Sequence, residues 1–162
     1  MEKIIRFFPM LKFFSNRRTI DYFEGKQIFP INIEFSLSGV CPANCRKCFY
    51  RVNNYALKGL ENKYFDFNRI PSLIEEFKEC GVKSISWTGG GEPTMHPNFP
   101  EIVKLFHKAG IQQGLFTNAL PEIKYDPNLF EWIRVTKTNK PFPLENIKKL
   151  RPCKTVGLCI NY

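Results

Sequence analysis

Runs with strand periodicity and runs with helix periodicity alternate along most of this chain, and that order limits the folds it can adopt. The strand-like runs are FPINIEFSLSG, VKSISWTGGG, IQQGLFTN, EWIRVTK and KTVGLCINY. Helix-like runs separate most of them, with apolar residues recurring every three or four positions. Such alternation predicts parallel strands joined by right-handed crossovers. We therefore expect an α/β fold, a partial (β/α) barrel of about five parallel strands.

The first strand-like run carries apolar and polar residues on opposite faces. Apolar side chains occupy the odd positions from 31 to 37, and polar side chains occupy the even positions from 32 to 38. Parallel strands covered on both faces are usually apolar throughout. A polar face therefore predicts that the sheet bounds a wet, substrate-sized lumen, and an exposed antiparallel strand is the alternative.

Helical periodicity is found in three runs, at residues 66–81, 98–110 and 143–151. Asn98 and Glu101 have the spacing of a capping box at the start of the second run. In the third run, Leu144, Ile147 and Leu150 are spaced to share one face. We expect these helices to cover the apolar face of the sheet.

Three cysteines, Cys41, Cys45 and Cys48, follow the first strand-like run directly. In α/β folds ligands gather at the carboxyl ends of strands, so this position suits a working site. Thiolates hold iron–sulfur clusters, and three of them would leave one iron of a cubane without a protein ligand. An open metal position is also what distinguishes catalytic from structural zinc.

Zinc is the main alternative for these cysteines. A structural zinc ion takes four protein ligands, often from two C-x2-C pairs, and this chain has one such pair. A fourth ligand would have to come from elsewhere: Cys80, Cys153, Cys159, His96 or His107. A disulfide framework is disfavoured because the cysteines are clustered and no export signal precedes them. Reduced cysteines favour a cytoplasmic location.

The cysteine run CPANCRKC resembles the C-x3-C-x2-C signature of the radical S-adenosylmethionine (radical SAM) superfamily. TGGGEP at residues 88–93 looks like the glycine-rich GGE motif of that superfamily, and LFTNA at 115–119 resembles its third-strand TNG segment. The resemblance implies a radical SAM core over residues 30–162, related to the TIM barrel and lacking the last strand–helix unit. Residues 1–29 would form a basic and apolar lead segment.

The resemblance also implies the residues that bind cofactors. Cys41, Cys45 and Cys48 would hold a 4Fe–4S cluster. The residues expected to bind S-adenosylmethionine are Gly90, Gly91, Glu92, Thr117, Asn118, Arg134 and Thr136. Glycines let a backbone approach a ligand closely. A carboxylate can accept hydrogen bonds from the amino group of the methionyl moiety, and an arginine binds a carboxylate bidentately.

By the same resemblance the chain is an enzyme. One electron from the reduced cluster would cleave S-adenosylmethionine into methionine and a 5′-deoxyadenosyl radical, which abstracts hydrogen from a substrate. A peptide or protein is the first candidate substrate, and the net charge of +9 makes RNA the rival. The alternatives are a truncated cluster-binding subunit without turnover, or a zinc-stabilised binding module.

Partners follow from the same reasoning. The cluster would need an electron donor that resembles flavodoxin or ferredoxin. An uncovered last strand is an aggregation hazard, so a protein partner or a second copy is expected to cover it. Arg6, Pro9 and Lys12 interrupt the apolar N-terminal residues, so no continuous transmembrane segment is predicted. A membrane-surface helix, or packing on the domain or on a partner, remains open for that segment.

Overall fold

The structure is a computed structural model that describes residues 17–46, 48, 50, 63–141 and 143–159. Contacts divide the chain into two compact units, Met1–Pro30 and Ile31–Tyr162. Most of the predicted lead segment, and the last residues of the predicted final strand, lie outside the described residues. In the first unit, helix α1 spans Arg17–Phe23.

Five strands form one parallel sheet, and their order in the sheet is their order in the chain. The strands are β1 (Asn32–Ser36), β2 (Ser84–Thr88), β3 (Gln112–Thr117), β4 (Trp132–Thr136) and β5 (Val156–Cys159). Each strand pairs with its sequence neighbour, as right-handed crossover connections allow. The predicted α/β fold with five parallel strands is confirmed.

Among the described residues of the second unit, three α-helices have their full bounds: α2 (Ile70–Glu79), α3 (Phe99–Lys108) and α4 (Leu144–Lys149). Gly81 and Gly110 follow α2 and α3 with φ of 67° and 74°, the left-handed conformation in which glycine ends a helix without strain. Within the described ranges, no helix combines the length and the apolar character needed to cross a membrane.

The hydrophobic core lies between one face of the sheet and the helices. Trp87 on β2 is fully buried and packs edge-to-face on Phe106 of α3, with ring centroids 4.9 Å apart. Its indole N–H donates to the side-chain oxygen of Gln113 at 2.9 Å, and the Gln113 amide donates to the Val103 carbonyl at 2.9 Å. The buried glutamine is thus hydrogen bonded on both sides, which removes the cost of burying it.

Two local predictions were wrong. Asn98 precedes α3, but its side chain makes no capping bond, and its backbone N–H donates to Nδ1 of His96 at 3.1 Å. Leu144 is 62% exposed, whereas Leu150 is fully buried, so the third helical run does not bury a single stripe. Ile147 in α4 packs on the core while half-buried, and Leu150, the residue that follows the helix, is buried.

The opposite face of the sheet, called the polar face here, carries the even-numbered residues of the first four strands. They are Asn32, Glu34, Ser36, Ser84, Ser86, Thr88, Gln112, Gly114, Phe116, Trp132, Arg134 and Thr136. The alternation in β1 is as the sequence predicts, with exposed residues at the even positions and half-buried residues between them.

Candidate cofactor site

Three loops meet at the carboxyl edge of the sheet. The cysteine loop (residues 39–48) follows β1, the glycine loop (residues 89–91) follows β2, and the β3 turn (residues 118–121) follows β3. The backbone N–H of Glu92 donates to the carbonyl of Val40 at 2.8 Å. The first two motifs found in the sequence are therefore hydrogen bonded to each other in the fold.

The glycine loop packs tightly against the chain itself. A Cβ on Gly91 would lie 2.5 Å from the carbonyl oxygens of Ser38 and Val40, and one on Gly89 would lie 2.0 Å from Oγ of Ser36. Gly89 also has a φ of 122°. Ser36 Oγ accepts the N–H of Gly90 at 3.1 Å. Two of these glycines are thus required by the approach of the cysteine loop and β1.

The carboxylate of Glu92 is 3% exposed and accepts four hydrogen bonds. One oxygen accepts from Oγ1 of Thr117 at 2.7 Å and from Oγ1 and N of Thr94 at 2.8 and 3.3 Å; the other accepts from N of Asn118 at 2.7 Å. Burial raises the pKa of Glu92, and these hydrogen bonds act against that shift because they stabilise the charged form. The side chain ties the glycine loop to the end of β3.

The β3 turn has an unusual backbone at Ala119. Its φ is 54°, a left-handed conformation that glycine adopts without cost, and its side chain is fully buried. The Ala119 N–H donates to Oγ1 of Thr117 at 2.9 Å. From α4, the side-chain amide of Asn146 donates to the carbonyls of residues 119 and 121 at 2.7 and 2.9 Å. Contacts from two other elements therefore fix this turn.

Cys41 contacts the β3 turn. The side-chain amide of Asn118 donates to its sulfur at 3.6 Å. Burial raises the pKa of the Cys41 thiol, and the nearby Glu92 and the other two thiols act in the same direction; the N–H of Ala43 lowers it. Metal ions act oppositely on a thiol, because they bind the thiolate.

Cys45 meets the loop that follows β4. Its thiol donates to Oδ1 of Asn139 at 3.8 Å, and the amide of Asn139 donates to the carbonyl of Asn44 at 3.3 Å. Within the cysteine loop, the N–H of Cys48 donates to the carbonyl of Cys45 at 3.3 Å, which closes a turn between the two. All three cysteines are half-buried and in the free thiol form.

The donor set fits an iron–sulfur cluster. Three half-buried thiols from one loop lie at the carboxyl edge of a parallel sheet, and soft thiolates are the ligands that such clusters take. Among the described residues, no three or more His, Cys, Asp or Glu side chains converge as the ligands of a single metal ion. The thiolates of an iron–sulfur cluster need not converge on one point, since each thiolate binds a different iron atom.

Two of the fourth ligands considered for zinc, His96 and Cys153, have other contacts. His96 is buried, donates from Nε2 to the carbonyl of Phe65 at 2.8 Å and accepts the Asn98 N–H at Nδ1. The thiol of Cys153 donates to the carbonyl of Phe130 at 3.4 Å. Both side chains stabilise the fold at positions where their polar atoms are already paired.

Arg134 and Thr136 lie on the polar face of β4. The Arg134 guanidinium lies 5.4 Å from the ring centroid of Phe116. The residue is exposed, so its N–H donors can point at a ligand. Trp132 packs edge-to-face on Phe116 at 4.9 Å and covers Gly114, where a Cβ would lie 2.1 Å from the indole. This cluster offers a cation beside two aromatic rings.

Sequence reasoning missed two amide side chains that fix the site, Asn139 and Asn146. Asn146 stands inside a helix, where asparagine has a low propensity because it competes for backbone hydrogen bonds. That mismatch is a usable signal that its side chain acts elsewhere. For Asn139, in the run TKTNKP, nothing in the sequence indicates a contact with the cysteine loop.

The fold and these three loops define a class of α/β protein whose ligands bind at the carboxyl edge of a parallel sheet. The family model of the radical SAM superfamily matches residues 35–161. This chain belongs to that superfamily, whose members are enzymes that use a 4Fe–4S cluster and S-adenosylmethionine.

Two curated relatives are similar over part of the chain. An S-adenosylmethionine-dependent nucleotide dehydratase from Flammeovirga pacifica is 27% identical over 94 residues, which cover 58% of this chain and 32% of the relative. A GTP 3′,8-cyclase from Vibrio atlanticus is 32% identical over 72 residues, which cover 44% of this chain and 21% of the relative. The chain thus matches a third or less of each relative's length.

Solved structures resemble the fold. BtrN in complex with AdoMet and 2-DOIA matches with a TM-score of 0.62 and 15% identity, over 80% of this chain and 57% of BtrN. SuiB from Streptococcus suis, bound to the precursor peptide SuiA, matches with a TM-score of 0.54 and 21% identity, over 67% of this chain and 24% of SuiB. At these identities the likeness concerns the fold alone.

Proposed function

We propose that this chain holds a 4Fe–4S cluster through Cys41, Cys45 and Cys48 and cleaves S-adenosylmethionine reductively. The observation that carries the proposal is the hydrogen bond between Glu92 N and Val40 O at 2.8 Å, which joins the glycine loop to the cysteine loop. A nucleotide held on the glycine loop would therefore lie beside the cluster. When bound and reduced, the cluster supplies one electron that breaks a carbon–sulfur bond, giving methionine and a 5′-deoxyadenosyl radical that abstracts hydrogen from the substrate.

The glycine loop and Glu92 have different parts in this proposal. Because the Glu92 carboxylate is buried and accepts four hydrogen bonds, its part in binding S-adenosylmethionine is to hold the loop in place. The amino group of the ligand would then lie against the backbone at Gly90 and Gly91. Thr117 and Asn118 stand at the same edge, at the end of β3.

Arg134 and Thr136 are proposed to bind the carboxylate or the ribose of S-adenosylmethionine. Stacking on Phe116 orders the exposed guanidinium and leaves its donors available. We expect Arg134→Gln to weaken S-adenosylmethionine binding about 10-fold or more, since a hydrogen bond to a charged group contributes roughly 1.5–3 kcal/mol. Titration calorimetry of the reconstituted protein measures this, and the exposed Arg151→Gln is the matched control.

The test of the cluster assignment is anaerobic reconstitution of wild type and Cys45→Ala, scored by iron content and by 5′-deoxyadenosine formation. Both quantities are expected to collapse in Cys45→Ala. Cys80→Ala removes a half-buried thiol outside the loop and should leave both unchanged. Unchanged iron loading in Cys45→Ala would contradict the ligand assignment.

Two outcomes in wild type would favour the alternatives. Iron and sulfide without any 5′-deoxyadenosine would indicate a cluster-binding subunit that does not turn over by itself. Zinc without iron after anaerobic purification would indicate a zinc-stabilised binding module, and the enzyme proposal would then fail.

For the substrate, a peptide or protein stays the first candidate, and SuiB with its bound precursor peptide supports it at the level of fold. A nucleotide is the second candidate, because the two curated relatives are a nucleotide dehydratase and a GTP 3′,8-cyclase. The cation and aromatic rings of Arg134, Phe116 and Trp132 could take a phosphate and a base. GTP that binds the reconstituted wild type but not Arg134→Gln would favour the nucleotide.

RNA is a third candidate, supported by the net charge of +9. Binding to a tRNA pool that weakens steeply with salt would favour it. The electron donor is proposed to be an acidic flavodoxin- or ferredoxin-like protein, for which the same charge is suitable. The edge of β5 that pairs with no described strand is proposed to be covered by a protein partner or by a second copy of the chain.

A further inference from the structure

The sulfur of Cys41 has a hydrogen-bond donor from the β3 turn. The side-chain Nδ2 of Asn118 is 3.6 Å away, a usual length for a hydrogen bond to the large sulfur atom. Cys41 is thus the point where the end of β3 touches the cysteine loop.

The orientation of the Asn118 amide is fixed by its other contacts. Its Oδ1 accepts the backbone N–H of Leu120 at 2.9 Å, so Nδ2 must be the atom that faces the sulfur. Its own backbone N–H donates to Glu92 at 2.7 Å. The hydrogen bond to Glu92 therefore fixes the position of Asn118. The hydrogen bond from Leu120 fixes the orientation of its side-chain amide, with Nδ2 toward the Cys41 sulfur.

Cys45 has the opposite kind of neighbour. The amide of Asn139 presents Oδ1 to the Cys45 sulfur at 3.8 Å, while its Nδ2 is used by the carbonyl of Asn44. An amide oxygen gives no stabilisation to a thiolate. Among the described contacts, the Cys41 sulfur therefore faces an amide N–H and the Cys45 sulfur faces an amide oxygen. The Asn118 amide stabilises negative charge on the Cys41 sulfur.

We propose that Asn118 is a positioning residue that raises the reduction potential of the cluster by donating its side-chain N–H to the Cys41 sulfur. The inference rests on the proposed function, in which Cys41 is a cluster ligand. Reduction adds one electron to the cluster, and hydrogen bonds to its sulfur ligands stabilise the added charge. The contact thus makes the electron easier to accept from a donor protein.

The experiment compares wild type with Asn118→Ser and Asn118→Asp after anaerobic reconstitution. Serine keeps a short oxygen that can accept the Leu120 N–H but lacks the amide donor. Aspartate keeps the acceptor and places a charge near the sulfur. Iron per chain is measured first, and then the potential is titrated by electron paramagnetic resonance without S-adenosylmethionine. We expect full iron loading and a more negative potential in both variants, with the larger shift in Asn118→Asp.

Asn139→Ser and Asn139→Asp are the matched controls. They make the same changes beside the same loop without removing an N–H donor from a described sulfur contact. We expect Asn139→Ser to shift the potential less than Asn118→Ser does, because it removes no N–H donor from a described sulfur contact. A charge effect alone would shift both aspartate variants and neither serine variant.

A full cluster with an unchanged potential in Asn118→Ser would overturn the inference and leave the proposed function intact. If both Asn118 variants are folded by circular dichroism yet hold no iron, the residue is needed for assembly and the tuning role is wrong. A wild-type chain that takes up no iron would instead defeat the proposed function itself.

Discussion

At the scale of single residues, the buried hydroxyl of Tyr125 reduces the stability of the fold. Its side chain is 7% exposed and packs on Phe99 and Phe130, with ring centroids 5.2 and 5.5 Å away. Its hydroxyl is buried and has no hydrogen-bond partner among the described residues. Burial also raises the pKa of Tyr125, which keeps the hydroxyl neutral.

Tyr125→Phe is expected to stabilise the protein by about 1 kcal/mol, because it removes an unsatisfied buried hydroxyl and keeps the ring contacts. Urea denaturation of wild type and variant measures the difference. Tyr64→Phe is the matched control, since Tyr64 is 42% exposed and its change should stay within about 0.5 kcal/mol. A loss of stability in Tyr125→Phe would mean that the hydroxyl has a partner after all.

Ala119 occupies a position that usually favours glycine, with a φ of 54°. Ala119→Gly relieves left-handed strain of roughly 1–2 kcal/mol. The substitution also removes a buried methyl group, which lowers the free energy of unfolding by about 0.8 kcal/mol. Glycine further raises the entropy of the unfolded chain, which lowers stability by a similar amount. We expect a net change of about 0.5 kcal/mol or less in the free energy of unfolding.

Ala119→Val is the comparison variant for that prediction. A β-branched residue is strongly disfavoured in this conformation, so we expect a loss of about 2 kcal/mol or more. Both changes are measured by urea denaturation. Equal stabilities of the glycine and valine variants would show that the left-handed backbone at this turn carries no cost.

The sequence was least informative at this scale. Three glycines and a glutamate indicate a ligand-binding loop, but the pattern does not tell which atoms they approach. In the structure Gly91 meets the backbone of the cysteine loop, and Glu92 accepts hydrogen bonds from Thr117 and Asn118. Such contacts depend on how loops from different strands meet. A local sequence pattern does not encode the distance between two loops that are far apart in the sequence.

At the scale of elements, the sequence predicted more. The five strands and the two longer helices follow from periodicity and from glycines that end them, because these are local properties of the chain. Leu144 is the exception, since its spacing matches Ile147 and Leu150 and yet its side chain is 62% exposed. A substitution can test whether the glycine loop packs on the cysteine loop.

Gly91→Ala tests whether the glycine loop positions the cysteine loop. A Cβ would lie 2.5 Å from backbone oxygens, which cannot move as a flexible side chain could. We expect a loss of about 3 kcal/mol in the free energy of unfolding and reduced iron per chain after reconstitution. Because the two loops would separate, iron loading should fall even at temperatures where the variant is folded.

Gly157→Ala is the control for that variant. Gly157 lies on β5, and an added Cβ would meet no atom of the described residues within 4 Å. Its stability and iron content should match wild type. If Gly91→Ala also retains full stability, the close approach of the two loops does not hold in solution.

At the scale of the whole molecule, the candidate site is assembled from loops that follow four strands. The cysteine loop comes after β1, the glycine loop after β2, the β3 turn after β3, and Asn139 after β4. The sequence could place each motif at a strand end, and parallel topology then brought them to one edge. Any ligand that binds this edge contacts several elements at once, so binding should stabilise the fold as a unit.

Cluster loading should therefore raise the midpoint of anaerobic thermal unfolding in wild type and in Cys80→Ala, but not in Cys45→Ala. S-adenosylmethionine at about 100 times its dissociation constant should add about 2.7 kcal/mol to the loaded protein, because it binds the folded state alone. The same concentration should add less to Arg134→Gln, since weaker binding lowers the ratio of ligand to dissociation constant. An equal shift in loaded and cluster-free wild type would show that the nucleotide binds away from the cysteine loop.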